Sequence, residues 1–159
     1  MGLDQYLAKK IYIGAQYPHR GIEGTFFITK AKEDGTKEEI TFGLKNLSEV
    51  EYNVMYWRKQ NAIHKWFVDH VQEGKDDCGE YYVSIESLQL LVDTCKQALA
   101  LVKAGKSPED ILPTESGFFF GGIAYDEWYV QGLSETVDIL EDELAIENNN
   151  ANYFYSSSW

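Results

Sequence analysis

The chain has 159 residues, of which 44% are hydrophobic and 14% aromatic, enough to form one domain around a buried core. No apolar run approaches the length of about 18 residues that a membrane span needs, so we expect no membrane partner. The chain shows no secretory signal, and two cysteines are too few for a disulfide framework. These features favour a cytoplasmic protein.

Negative charge is concentrated in the last third of the chain. Eleven of the 26 acidic residues follow Lys106 and no lysine or arginine does, which leaves 15 acidic against 14 basic residues in the first 106. The formal net charge of −12 would repel extended nucleic acid, whose binding depends on a positive surface facing the phosphates. A small anion in a local basic pocket is compatible with this charge, and so is a function for the acidic surface itself.

The first half of the chain predicts three strands and one long helix. Leu3–Ile13, Gly24–Thr29 and Glu39–Phe42 are rich in β-branched and aromatic residues, and Asp34-Gly35 predicts a type I′ hairpin turn. A first helix is predicted from about Ser48 or Asn53 to Gln72, followed by a loop and a short strand.

The second half predicts two further helices and the remaining strands. Ser84 suits the N-cap of a second helix and Asp126 that of a third. Thr114–Gly122 holds too many glycines and aromatics for a helix, so we predict a strand with bends. Asn148–Asn150 should break the third helix, and Tyr153–Tyr155 predicts a final strand.

Together these elements predict an α+β fold and a single ligand-binding domain over residues 1–159. The sheet should be mostly antiparallel, with the N- and C-terminal strands and an exposed hairpin, and about three helices should pack on it.

The predicted first helix carries a second stripe beside its apolar face. Trp57, Asn61 and His64 have i, i+4, i+7 spacing and fall on an arc roughly 60° wide, with Arg58 and Lys65 along its edge. A helix that only packs would not require this stripe.

The residue types in this stripe suit a nucleotide. Stacking on an aromatic ring contributes roughly 1–3 kcal/mol per base. A guanidinium can contact phosphate or guanine through two hydrogen bonds, an asparagine amide can pair with an adenine edge, and an imidazole can donate to a phosphate or a base. Two later aromatic residues could add stacking platforms. The predicted ligand-binding residues are Trp57, Arg58, Asn61, His64, Tyr125 and Trp128.

A simpler interpretation of the same residues stays open. Trp57 could belong to the core, Asn61 and His64 could be solvated, and Arg58 could form a surface ion pair with one of the many acids.

The sequence predicts no catalytic residue, cofactor or metal site. His64 and His70 lie about 120° apart on a helix and cannot share a metal from one face. Walker, nucleophile-elbow and paired Cys-x-x-Cys motifs are absent from the sequence. A phosphodiesterase that uses His64 as general acid–base would need a second charged partner that the sequence does not reveal.

Motifs spread over nearly the whole chain share one family pattern. They are MGLD at residues 1–4, YWRKQNAIHKWF at 56–67, DCGEY at 77–81, LPTESGFFFG at 112–121, YDEWY at 125–129 and SSW at 157–159. With these motifs the chain resembles a widespread, mostly uncharacterised family of small bacteriophage proteins. Phe26–Phe42 and Asn148–Phe154 match none of its motifs.

The family is in turn similar in type to phage sponges that sequester cyclic dinucleotide signals of CBASS immunity, such as cyclic GMP-AMP. The resemblance implies a viral anti-CBASS protein that evades host defence by binding a cyclic nucleotide in the host cytoplasm without cleaving it. A homo-oligomer is left open. The alternatives are an acidic inhibitor of a host nucleic-acid-binding protein and a nucleotide phosphodiesterase.

Overall fold

The computed structural model describes residues 2–20, 23–146 and 151–159. Within these ranges the chain forms six antiparallel strands in two sheets and three α-helices, and the predicted α+β fold is confirmed. The strands are β1 Asp4–Tyr12, β2 Thr25–Ala31, β3 Lys37–Gly43, β4 Glu49–Arg58, β5 Glu80–Val83 and β6 Ala151–Ser158. The helices are α1 Asn61–His70, α2 Ile85–Lys103 and α3 Glu127–Leu144.

The larger sheet has the strand order β4-β1-β6-β5, so the predicted N- and C-terminal strands are neighbours at its centre, an order that the sequence left open. Strand β5 pairs antiparallel with β6, with Tyr81 opposite Tyr155. Along β6, Tyr153, Tyr155 and Ser157 are buried in alternation with more exposed residues. This alternation is typical of a strand that presents one face to the core.

The internal contacts of the chain divide it into two compact units. Unit 1 comprises Met1–Lys9 and Tyr52–Trp159, and unit 2 comprises Lys10–Glu51. Unit 2 contains the β2–β3 hairpin, in which Phe26 stacks on Phe42 and nearly every residue is exposed. Composition alone gave no indication of this division.

The hairpin lies where it was predicted, but its turn has another form. The Gly35 amide donates to the Lys32 carbonyl at 3.0 Å, and the Lys32 amide donates to the Thr36 carbonyl at 2.8 Å. A type I′ turn needs positive φ at both central residues, whereas only Gly35, at 81°, has it here. The type I′ prediction is therefore wrong. A three-residue loop replaces it because the Asp34 carboxylate accepts from both the amide and the hydroxyl of Thr36.

Both later helices begin at their predicted caps. The Ser84 hydroxyl accepts from the Ser87 amide at 3.1 Å, and the Asp126 carboxylate accepts from the amides of Trp128 and Tyr129 at 3.1 and 3.2 Å. Helices α2 and α3 pack on each other in the core of unit 1. Their buried hydrophobic residues are Leu88, Leu91, Val92, Cys95, Ala98, Tyr129, Leu133, Val137 and Leu140.

A buried ion pair links three elements of unit 1. Lys9 Nζ on β1 lies 2.5 Å from Glu143 Oε1 on α3, and the two side chains are only 4% and 9% exposed. The Tyr153 hydroxyl on β6 donates to the same carboxylate at 2.7 Å. Burial alone would lower the pKa of the Lys9 ammonium, but the hydrogen bond and charge of Glu143 raise it above its ordinary value.

The first helix is shorter than predicted. Residues 49–58 form β4, and α1 begins only at Asn61. The chain leaves the strand at Lys59, whose φ of 55° lies in the left-handed region and whose amide donates to the Leu3 carbonyl at 2.8 Å. Valine and tyrosine alternate from residue 50 to residue 56 and favour a strand, so the predicted helical start is wrong.

The predicted strand at Thr114–Gly122 is also wrong. This segment is irregular, and the Leu3 amide holds it by donating to the Phe119 carbonyl at 3.0 Å. The predicted helix break at Asn148–Asn150 lies outside the described residues. Among the helices that the structure describes, none is long and apolar enough to cross a membrane.

Candidate functional site

The six predicted ligand-binding residues differ widely in burial. Trp57, Asn61 and His64 are buried, at 2%, 3% and 0% exposure. Arg58 and Trp128 are about half exposed, and Tyr125 lies between these extremes. The predicted polar stripe on one helix is wrong, because Trp57 lies on β4 and all three of its side chains point into the protein.

Trp57 joins β4 to α3. Its indole N–H donates to the Thr136 hydroxyl at 2.8 Å, and that hydroxyl donates to the Gly132 carbonyl at 2.6 Å. The ring also packs against Phe67 and Tyr155. A buried indole N–H usually finds such an internal acceptor. At 2% exposure, the Trp57 ring is almost completely covered by the core.

Asn61 anchors the irregular segment at residues 114–122. Its side-chain amide donates to the carbonyls of Phe120 at 3.1 Å and Gly122 at 2.7 Å, and its oxygen accepts from the Glu115 amide at 3.1 Å. These contacts use both amide hydrogens and the carbonyl of the side chain. Asn61 therefore has no free donor for the predicted pairing with an adenine edge in this conformation.

His64 lies in a polar cluster that is buried at the imidazole and at Tyr155 and more exposed at Asp76 and Trp159. Its Nδ1 is 2.8 Å from the Tyr155 hydroxyl, and its Nε2 is 3.1 Å from Asp76 Oδ2. The Trp159 indole donates to the other oxygen of Asp76 at 3.1 Å, and the Phe120 ring packs edge-on against the imidazole. Both imidazole nitrogens have protein partners, so His64 also has no free donor for a ligand. Burial raises the pKa of the Tyr155 phenol.

Tyr125 supports the same irregular segment from the α3 side. Its ring contacts the Tyr129 ring edge-to-face at 5.0 Å, and its hydroxyl accepts from the Thr114 amide at 3.4 Å. Tyr129 in turn donates to the Leu112 carbonyl at 2.9 Å. Tyr125 is therefore a positioning residue rather than an exposed stacking platform.

Two shallow recesses adjoin at Trp128, which is 55% exposed. We call them the Trp128 recesses. The first has a volume of about 120 Å³ and is lined by Tyr56, Trp57, Arg58, Gln60, Trp128, Gln131, Gly132 and Glu135. The second has a volume of about 160 Å³ and is lined by Lys59, Gln60, Asn61, Ala62, Thr114, Gly122, Ala124, Asp126, Trp128 and Tyr129.

Gln60 separates the floors of the two recesses. Its amide donates to the Trp128 carbonyl at 3.2 Å and lies across Gly132. A Cβ at position 132 would lie only 2.2–2.4 Å from the Gln60 amide atoms, so glycine is required there unless Gln60 moves. Gln60 also precedes α1 without a side-chain hydrogen bond to that helix.

Charge at the first recess is partly neutralised. Arg58 Nη1 lies 2.7 Å from Asp4 Oδ1, and the Tyr56 hydroxyl donates to the same oxygen. The hydrogen bond from Tyr56, together with the neighbouring Arg58 charge, lowers the pKa of the Asp4 carboxyl. The alternative interpretation of Arg58 as a surface ion pair is thus confirmed.

Sequence reasoning missed Lys59, Gln60 and Gln131, which line the recesses. The alternation of residues 50–56 could have located the end of β4 and so drawn attention to the turn at Lys59. Gln131 has no comparable signal, because its place beside Tyr56 depends on how α3 packs on β4.

Two further observations, on another cavity and on metal-binding groups, bear on the choice of site. A hollow of about 400 Å³ in unit 2 is lined in part by Tyr17, Glu23 and Lys45. Among the described residues, no group of three or more His, Cys, Asp or Glu side chains is placed to hold a metal ion. The Trp128 recesses combine an exposed indole with nearby cations, and we take them as the candidate site.

Comparison of the chain with protein-family models, curated proteins and solved structures finds no match.

Proposed function

We propose that this chain is a phage protein that binds and sequesters a cyclic dinucleotide immune signal, such as cyclic GMP-AMP, without cleaving it. The observation that carries the proposal is the pair of adjoining recesses that share the exposed Trp128 indole beside Arg58 and Lys59. An exposed indole stacks on a base, and the cations attract phosphates. The family resemblance points to the same ligand.

The size of the recesses restricts how the ligand would bind. Pockets that enclose drug-sized ligands measure roughly 300–1,000 Å³, and each Trp128 recess is smaller than that. The ligand would therefore lie across the surface, with its bases in or over the recesses. A second copy of the chain could cover the exposed side of the ligand.

Binding is favoured over hydrolysis by the placement of His64. A phosphodiesterase would use this imidazole as general acid–base, and Asp76 supplies the charged partner that the sequence did not reveal, but the imidazole is fully buried and hydrogen-bonded through both nitrogens. In the second recess, Asp126 is occupied in capping α3.

The test is isothermal titration calorimetry with a panel of cyclic dinucleotides. Trp128→Ala should weaken the binding of the preferred ligand about 5- to 150-fold, as expected for one lost base stack. Tyr82→Ala is the matched control, since Tyr82 is 58% exposed and does not line either recess. Recovery of intact ligand after denaturation distinguishes capture from hydrolysis. No binding to any member of the panel, or unchanged binding by Trp128→Ala, would contradict the proposal.

A second candidate function is supported by the outer face of α3. Its acidic side chains are exposed, and they are Glu127, Glu135, Asp138, Glu141 and Asp142. Such a face could occupy the nucleic-acid groove of a basic host protein. Capture of a host protein that is lost in high salt and by Asp138→Lys/Asp142→Lys, but kept by Trp128→Ala, would favour this function.

A further inference from the structure

Lys59 holds a backbone conformation that costs free energy. Its φ is 55°, in the left-handed region, where a residue with a Cβ is less stable than glycine by about 1–2 kcal/mol. Residues in such conformations occur preferentially at functional sites. Glycine would relieve the strain at this turn, so the lysine side chain calls for an explanation.

Two glycines make room for the Lys59 side chain. A Cβ on Gly121, whose φ is 90°, would lie 3.1 Å from Lys59 Cβ, and a Cβ on Gly2 would lie 2.8 Å from Lys59 Cε. The stem therefore passes between two stretches of bare backbone. This passage fixes the direction of the side chain and restricts its rotamers.

The ammonium group at the end of this stem has no partner among the residues that the structure describes. No ion pair or hydrogen bond joins it to any residue that the structure describes, whereas Arg58 next to it is paired with Asp4 at 2.7 Å. Lys59 lines the second Trp128 recess, and the Asp126 carboxylate in that recess already accepts from the amides of Trp128 and Tyr129. Fold stability accounts neither for the strain at Lys59 nor for its unpaired charge.

We propose that Lys59 is the phosphate-binding residue of the second recess and that Arg58, neutralised by Asp4, has a smaller role. The ligand is then a nucleotide phosphodiester whose base stacks on Trp128 while a phosphate oxygen accepts from the Lys59 ammonium. The identity of the ligand rests on the proposed function, but the anion site itself does not.

The first test uses inorganic pyrophosphate as the probe and the full chain labelled with ¹³C-lysine. The Lys59 Cε signal, assigned by its disappearance in Lys59→Met, should shift and saturate at millimolar pyrophosphate. The signal of Lys106, an exposed lysine in the loop after α2, is the control and should not move to the same extent. An unmoved Lys59 signal would overturn the proposal.

The second test uses cyclic GMP-AMP. Lys59→Met should weaken binding about 10- to 100-fold, the effect of one lost charge-assisted hydrogen bond, whereas Arg58→Met should weaken it less. Lys59→Gly should weaken binding as much as Lys59→Met does. Its melting temperature should stay unchanged or rise, because glycine relieves the backbone strain. Equal binding by wild type and Lys59→Met would overturn the proposal. A pyrophosphate response without any cyclic dinucleotide binding would contradict the proposed function and leave the anion site standing.

Discussion

The two tryptophans Trp57 and Trp128 show how one residue type serves two regions of unit 1. Trp57 is 2% exposed and donates its indole N–H to Thr136, whereas Trp128 is 55% exposed and lines both recesses. Asn61 and His64 follow the first pattern, with every side-chain partner inside the protein. Residue types that recognise nucleotides elsewhere can thus form the internal polar framework that supports a site, and only their burial distinguishes the two roles.

Removing a buried ion-pair partner should cost more free energy of unfolding than removing an exposed one, and we expect the largest such difference at two glutamates of α3. Glu143→Ala leaves the Lys9 ammonium buried without its carboxylate, with only the Tyr52 and Tyr153 rings close to it, so we expect a loss of about 3–5 kcal/mol in the free energy of unfolding. Glu141→Ala is the matched control two residues away, because the Lys96–Glu141 pair is about half exposed and should contribute about 0–1 kcal/mol. Urea denaturation of both variants at neutral pH measures the difference. Similar losses in the two variants would show that Lys9 and Glu143 are not buried together.

Asn61→Ala tests whether this side chain holds the irregular segment at residues 114–122. The change leaves two carbonyls and one amide without their partner, and we expect a loss of about 2–4 kcal/mol. Asn53→Ala, at an exposed position of β4, should stay within about 0.5 kcal/mol of wild type. Hydrogen exchange of the Glu115 amide should accelerate in Asn61→Ala alone. Unchanged exchange there would mean that the segment is held by other contacts.

Local signals in the sequence predicted most of the fold and four residues that line the recesses, Trp57, Arg58, Asn61 and Trp128, but not which of their polar groups already have partners. The caps at Ser84 and Asp126 and the alternating strands were found because neighbouring residues determine them. The predicted first helix begins too early, because the helical spacing of its residues continues across Lys59, where the backbone is left-handed. The partners of Asn61 lie 54 to 61 residues away, so no local pattern could show that its amide was already occupied.

Replacing each tryptophan by phenylalanine compares the two regions directly. Trp57→Phe removes the hydrogen bond to Thr136 and leaves a cavity in the core, so we expect a loss of about 1–3 kcal/mol. Trp128→Phe should change stability by no more than about 0.5 kcal/mol, because Trp128 is more than half exposed. Thermal denaturation of both variants is the measurement. A larger loss from Trp128→Phe would contradict the assignment of that ring to an open recess.

The smallest expected effect concerns Asp4, which neutralises Arg58 at the edge of the first recess. The hydrogen bond from Tyr56, together with the Arg58 charge, lowers the pKa of the Asp4 carboxyl below its ordinary value. A carboxyl with a lowered folded-state pKa stabilises the protein at pH values above its unfolded-state pKa, and this stabilisation is lost as the pH falls through the folded-state pKa. Asp4→Asn should therefore narrow the difference between the urea midpoints measured at pH 7 and at pH 3.

Asp4→Asn should also release Arg58 and strengthen the binding of cyclic GMP-AMP about two- to fivefold. Asp69→Asn, which removes the partner of Lys65 instead, is the control for a general change in net charge. If both variants strengthen binding equally, the effect comes from the overall field of this acidic chain, and the pairing of Asp4 with Arg58 does not limit the site.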